Sequence, residues 1–326
     1  MRCARALLVL ILLSVLASAA PAGARAADYP ARPIRIIVST SAGGITDVAA
    51  RVLGQHMSQQ TGQSVVIENR PGASGNLAME GVAKAEPDGY TLGFANTGNI
   101  VVNPLLYRHM TFNPLADLAP VAPVGTVPLF LVTNTLIPPT TLADFITYAK
   151  ANPDKLSYAG AGAGTTPDLT AHEFARRAGL SLVYVPFHGT APAVTALLGN
   201  DVQFTFVSLG PHIQLMREGK LRVLAAATAQ RAPYLPEVAT FGEQGFPGLE
   251  TTTWFALFAP RGTPPSIVDQ LNGYVRDTLA DAQAKGRLEA DYIQPLALTA
   301  REFAALVKAD ADKWANIVRQ VGLTLD

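Results

Sequence analysis

The chain has 326 residues, 49% of them hydrophobic and 15% charged, and its 25 basic and 25 acidic side chains cancel to a formal charge of zero. That length holds about two domains of the usual ~100–200 residues, and the composition excludes a charge-rich disordered chain. No basic stripe is present, which excludes nucleic acid as an expected partner.

In chain order, the first 26 residues read as an address. Arg2 and Arg5 supply a positive start, residues 7–16 are apolar except Ser14, and Ala24-Arg25-Ala26 fits an A-x-A cleavage pattern, with the cut between Ala26 and Ala27. The apolar run is shorter than the ~20 residues that span a bilayer. Cleavage removes three arginines and no acid, leaving 22 basic against 25 acidic groups, and it removes Cys3, the only cysteine. A cysteine-free mature chain suits an oxidising compartment. The expectation is an exported, periplasmic protein that does not itself span the membrane, and a monomer.

The mature chain reads as α/β. Residues 34–38 (IRIIV) form a strand closed by a Ser/Gly loop, and Val48, Val52 and Leu53 recur at helical spacing up to Thr61-Gly62. A strand at 65–67, a short helix at 79–85 and a strand at 91–95 follow. This alternation predicts a parallel sheet. Further strands are predicted at 129–132, 156–159, 182–185, 204–207, 223–226 and 252–259. The helices between them fall at 141–150, 170–178, 191–198 and 212–218, and an amphipathic helix over 300–321 ends the chain. Composition shifts at the Pro-rich segment 120–128 and at 245–253. Two crossings between units at those places give a discontinuous first domain (27–125 and 251–326) and an inserted second domain (126–250), joined by a two-strand hinge.

Three times an apolar strand runs into a small-residue loop and a helix start: at 38–47, at 159–167 and at 185–192. Thr166 reads as an N-cap with Pro167 at the first helical position, and Thr190 as a cap before its helix. Ligands of open α/β sheets sit beyond the carboxyl ends of the strands, where helix N-termini present free N–H groups that favour anions. The reading is an anion site of neutral donors, with a carboxylate as the anion.

The segments GGITD (43–47), ENRPGASGN (68–76), AKAEPDGYTL (83–92), TGN (97–99), NPLLY (103–107), GAGAGTTPDL (160–169), VPFHGTAPA (185–193), GKLRVLA (219–225) and WFALFAPRGTP (254–264) resemble, in this order, the Bug/TctC family of extracytoplasmic solute receptors. The resemblance runs from about residue 29 to the C-terminus. It implies a type II periplasmic-binding-protein fold, two α/β domains with a central ligand cleft. It also implies a small carboxylate, aromatic acid or acidic amino acid as ligand, delivery to the permease subunits of a tripartite tricarboxylate-type transporter, no cofactor and no catalysis.

By the same resemblance the ligand meets Thr40, Ser41, Ala42, Gly43, Gly44 and Asp47 from one loop and Thr97 and Gly98 from a second. Ala161, Gly164, Thr165 and Thr166 form the second-domain carboxylate loop, and His188, Gly189 and Thr190 a further cleft loop. Two positions depart from the family pattern. Ala42 stands where many members have Pro, which loosens that loop. Val207 stands where many have Asp, so an acceptor for an amino group is missing there and a plain organic or aromatic acid is expected.

Other chemistries lack their residues. His172-Glu173 begins like H-E-x-x-H, but Arg176 occupies the second His position, and no metal is expected. No G-x-S-x-G occurs. Gly160, Gly162 and Gly164 alternate and miss the dinucleotide spacing, and Gly219-Lys220 runs into Leu221 and misses the P-loop. Trp254 suits either the cleft or a buried strand. The alternatives to a transport receptor are a signalling co-receptor that reports the same carboxylate to a membrane sensor kinase, and a periplasmic enzyme acting on that acid.

Overall fold

A computed structural model describes residues 29–160, 164–187, 190–322 and 324–325. The expected signal segment 1–26 and its cleavage point lie outside them.

The elements run β1 (Ile34–Val38), α1 (Ile45–Thr61), β2 (Val65–Asn69), α2 (Asn76–Ala83), β3 (Thr91–Asn96), a π turn (Gly98–Val102), α3 (Asn103–Leu106), α4 (Pro114–Asp117) and β4 (Leu118–Pro128). Then follow β5 (Phe130–Asn134), α5 (Leu142–Ala151), β6 (Ser157–Gly160), α6 (Thr166–Ala178), β7 (Val183–Pro186), α7 (Thr190–Leu198), β8 (Phe204–Val207), α8 (Ile213–Arg217) and β9 (Leu221–Ala226). The chain closes with β10 (Thr252–Pro260), α9 (Pro265–Ala280), α10 (Ala282–Ala290), β11 (Gln294–Pro295) and α11 (Ala300–Val321).

Two sheets result. One has the order β11-β4-β10-β3-β1-β2, the other β7-β6-β8-β5-β9. The parallel pairing expected of β1, β2 and β3 is present, as it is for β6 with β7 and β8. Neither sheet is parallel throughout. β10 lies antiparallel to β3 and β4, and β5 antiparallel to β8 and β9. The reason is chain routing: β4 leads directly into β5 of the other sheet, and β10 re-enters the first sheet from the opposite end.

The Pro-rich stretch, read from sequence as a change in composition, is the 11-residue strand β4. Proline cannot donate to a ladder, and such strands survive by bulging. The register against β10 slips twice, beside Pro123 and beside Pro120. Where the chain passes between the sheets, the Ala227 N–H donates to the Leu129 carbonyl and the Thr251 N–H to the Ala227 carbonyl, both at 2.8 Å. The two connections therefore run side by side.

Each sheet is covered on both faces, which explains why its strands read as continuous apolar runs. Ile36, Val38, Leu92 and Phe94 pack with Leu53, Leu271 and Val275 on one face of the first sheet. Ile37, Trp254 and Phe258 pack with Phe303, Val307 and Trp314 of α11 on the other. In the second sheet Phe145, Phe174, Phe204, Phe206 and Phe241 form an aromatic core, with Val132, Val194, Leu197 and Val207 opposite.

Candidate ligand-binding site

Between the sheets, where the carboxyl ends of their parallel strands meet, lies a cavity of about 520 Å3. The first sheet contributes Ser39, Thr40 and Ser41 after β1, the loop 71–75 before α2, and Asn96, Gly98, Asn99, Asn103 and Tyr107 after β3. The second sheet contributes Gly164, Thr165, Thr166 and Pro167 at the start of α6 and Thr190 at the start of α7. Thr253 of β10 completes the lining, and none of these side chains carries a charge.

The first-sheet wall is fixed by amides. Asn99 Oδ1 accepts from Ser39 Oγ (2.7 Å) and from the Asn96 N–H (3.1 Å). Asn99 Nδ2 and Asn103 Nδ2 both donate to the Ser74 carbonyl, at 2.6 and 3.0 Å. The Ser74 and Tyr107 hydroxyls share a hydrogen bond of 2.6 Å. Asn99, Asn103 and Tyr107 recur every four residues, so they rise from one face and grip one loop. That loop needs the grip, because Ala73 and Ser74 both hold positive φ (46° and 52°), a conformation costly for side-chain-bearing residues. Thr40 lines the cavity, and its Oγ1 atom is buried without a hydrogen-bond partner.

The second-sheet wall is the start of α6. Its cap residue is Thr165, one position before the expected Thr166, and the cap makes no side-chain hydrogen bond to the helix. The side chain that braces the turn comes from inside the helix: the Gly164 N–H donates to Asp168 Oδ2 at 2.8 Å. Thr166 Oγ1 instead shares a hydrogen bond of 3.0 Å with Thr253 Oγ1 of β10, and Thr170 Oγ1 donates to Thr251 Oγ1 at 3.0 Å. The helix start is thereby tied to the strand that runs between the sheets.

Of the residues expected at the site, Thr40, Ser41, Gly98, Gly164, Thr165, Thr166 and Thr190 line the cavity, and Ala42, Gly43, Gly44, Asp47, Thr97 and Val207 do not. Ala161, His188 and Gly189 lie outside the described residues. Asp47 turns inward as a brace: it accepts from the Gly43 N–H, Arg51 Nε and Asn69 Nδ2 at 2.8–2.9 Å. Burial alone would raise its carboxyl, but those hydrogen bonds from Arg51, Gly43 and Asn69 hold it below the usual carboxylate range. Thr97, fully buried, accepts the Trp254 N–H at 2.9 Å. Val207 sits in the core of the second sheet. Trp254 is 1% exposed and donates its indole N–H to Asp310 (2.7 Å), so it is a packing residue off the cavity. Among the described residues no group of His, Cys, Asp and Glu is placed to hold a metal, and no helix is long and apolar enough to cross a membrane.

Such an arrangement suits an anion by solvation. Hydroxyls, amides and the N-termini of α2, α6 and α7 replace its hydration shell with oriented donors. Among the described residues no acidic side chain lines the cavity to receive an ammonium group. Among the described residues no nucleophile–base pair or acid–base pair of side chains lines it either.

Comparison with known proteins agrees with this geometry. Residues 49–323 match the model of the tripartite tricarboxylate transporter family receptor. A solved structure of Rhodopseudomonas palustris Rpa4515 with adipate is 35% identical, with a TM-score of 0.81, covering 91% of this chain and 99% of that one. MatC from the same organism, solved with bound malate, is 32% identical with a TM-score of 0.77, over 89% of this chain and all of that one. The periplasmic binding protein BugD is 32% identical with a TM-score of 0.77, over 91% and 99%. The chain belongs to the tripartite tricarboxylate transporter receptor family, whose members are binding proteins and not enzymes.

Proposed function

We propose that this protein is a periplasmic receptor that encloses a small organic carboxylate between its two sheet units and delivers it to the permease subunits of a tripartite transporter. The observation that carries the reading is the cavity itself: donors from both sheets converge on one space with no charged side chain among them. Adipate and malate in the related structures point to aliphatic dicarboxylates. The absence of an acidic side chain from the lining, among the described residues, sets plain organic acids ahead of acidic amino acids.

The units are residues 27–125 with 251–326, and 126–250, and the paired connections around Leu129, Ala227 and Thr251 are the hinge. A ligand that bridges Thr40 and Ser41 on one side and Thr165 and Thr166 on the other stabilises the closed arrangement by contacts the open one lacks. Binding to the native state raises the melting temperature by mass action. The mature protein should therefore be melted against adipate, malate, citrate, benzoate and aspartate at matched pH and salt. A shift confined to the non-amino acids is expected. A shift with aspartate alone overturns the specificity, and turnover of any acid overturns the receptor assignment.

A further inference from the structure

The brace under the second-sheet loop is chemically unlike its counterpart in the first sheet. Both loops use one device: a glycine in the left-handed region (Gly43, φ 83°; Gly164, φ 75°) donates its N–H to an aspartate four residues on, inside the first turn of the following helix. Asp47 has each oxygen engaged, one by Asn69 and the other by Gly43 and Arg51. Asp168 is fully buried and only its Oδ2 is engaged, by Gly164. Its Oδ1 has no hydrogen-bond partner, and neither have the buried hydroxyls of Tyr158 and Tyr184.

These groups belong to one cluster around His172. Tyr158 comes from β6, Tyr184 from β7, and Asp168 and His172 from α6. The Tyr158 and Tyr184 rings lie 5.3 Å apart, and each lies 5.7 Å from His172. His172 Nε2 stands 3.6 Å from Asp168 Oδ1, too far for a hydrogen bond and near enough for electrostatic contact. Among the described residues no arginine or lysine pairs with Asp168. Glu173, next along the helix, is taken up by Arg176 and Arg177. Buried polar atoms in such number require a shared proton or water.

We propose that Asp168 is a proton-binding positioning residue: it takes up a proton on Oδ1 beneath the ligand loop, and its charge state sets how firmly Gly164 and the start of α6 are held. A neutral Asp168 removes the buried charge that Oδ1, without a hydrogen-bond partner, would otherwise carry, while Oδ2 keeps the Gly164 N–H. Burial pushes this carboxyl above its ordinary range, offset only in part by the Gly164 hydrogen bond and by His172. Burial likewise pushes the Tyr158 and Tyr184 hydroxyls up, Tyr184 to about 12, so the phenols stay neutral.

The coupling to ligand rests on the carboxylate reading of the cavity. An anion at Thr165 and Thr166 competes with an ionised Asp168 for the same helix N-terminus, and like charges raise a carboxyl pKa. Ligand binding then takes up a proton, and affinity rises as pH falls from the midpoint of the complex to that of the free protein, by about tenfold in total for each unit by which the ligand raises the midpoint.

The test follows the backbone amides of Gly164 and Gly43 by 1H–15N NMR across an acid-to-neutral titration of the ligand-free protein, in wild type and in Asp168→Asn, whose amide mimics the neutral acid. The Gly164 amide should move with a midpoint above the ordinary aspartate range in wild type and stay flat in the variant, while the Gly43 amide moves with a midpoint below that range. A Gly164 amide that is flat in wild type, or that moves alike in both proteins, overturns the proposal. With adipate added, the Gly164 midpoint should rise. An unmoved midpoint while the Thr166 amide reports binding overturns the coupling. Adipate that moves no cavity amide counts against the carboxylate reading and leaves the proton site to be decided by the ligand-free titration.

Discussion

At the scale of single residues, the site depends on close approach more than on charge. Gly75 shows this most directly. Its φ of 85° lies in the left-handed region, and a Cβ there would come within 2.5 Å of Asn99 Nδ2 and 2.9 Å of Ser39 Cβ. Gly75→Ala therefore strains the backbone and pushes aside the amide that holds the Ser74 carbonyl. A loss of roughly 1–3 kcal/mol is expected from the strain, read as a lowered urea midpoint with unchanged slope, together with weakened acid binding. A variant as stable as wild type would mean the loop relaxes freely. On the second-sheet side, Gly164 lies against α3: a Cβ there would clash with Leu106 Cδ1.

At the scale of elements, what the sequence made legible followed from simple periodicity. β1, α1 and β8 fall at or within a few residues of where apolar spacing and Gly or Ser punctuation place them. β4 was hidden because its prolines read as a break, and only the bulges opposite β10 make them tolerable. The site was legible where its residues sit in strand–loop–helix junctions. It was illegible at Asn99, Asn103 and Tyr107, which act through a fourfold spacing on a turn no apolar pattern marks. Gly43 with Asp47 and Gly164 with Asp168 repeat one Gly-x-x-x-Asp spacing, a signal available in the sequence and passed over. Helix α11 also gains its start from local chemistry: Thr299 and Glu302 form a reciprocal capping box. The helix buries Phe303, Val307 and Trp314 beneath the first sheet, and its Asp310 anchors Trp254. Thr299→Ala should cost about 1 kcal/mol, seen as a lower melting temperature with ligand affinity unchanged, since Thr299 does not line the cavity.

At the scale of the whole molecule, two two-faced α/β layers are held together by paired connections, and the space between them is lined on both sides by uncharged groups. That neutrality has a consequence for how the protein behaves in different ionic environments. A receptor that clamps its anion with arginine or lysine gives up much of its attraction when mobile ions screen it, over a Debye length of ~10 Å at 0.1 M. In the proposed closed form the ligand would be held at short range by hydroxyls, amides and helix ends rather than by a cationic clamp. The dissociation constant of the bound acid, measured calorimetrically, should stay within about threefold over a tenfold change in salt. Capture would then proceed without long-range steering, and the protein would work alike in dilute and brackish surroundings.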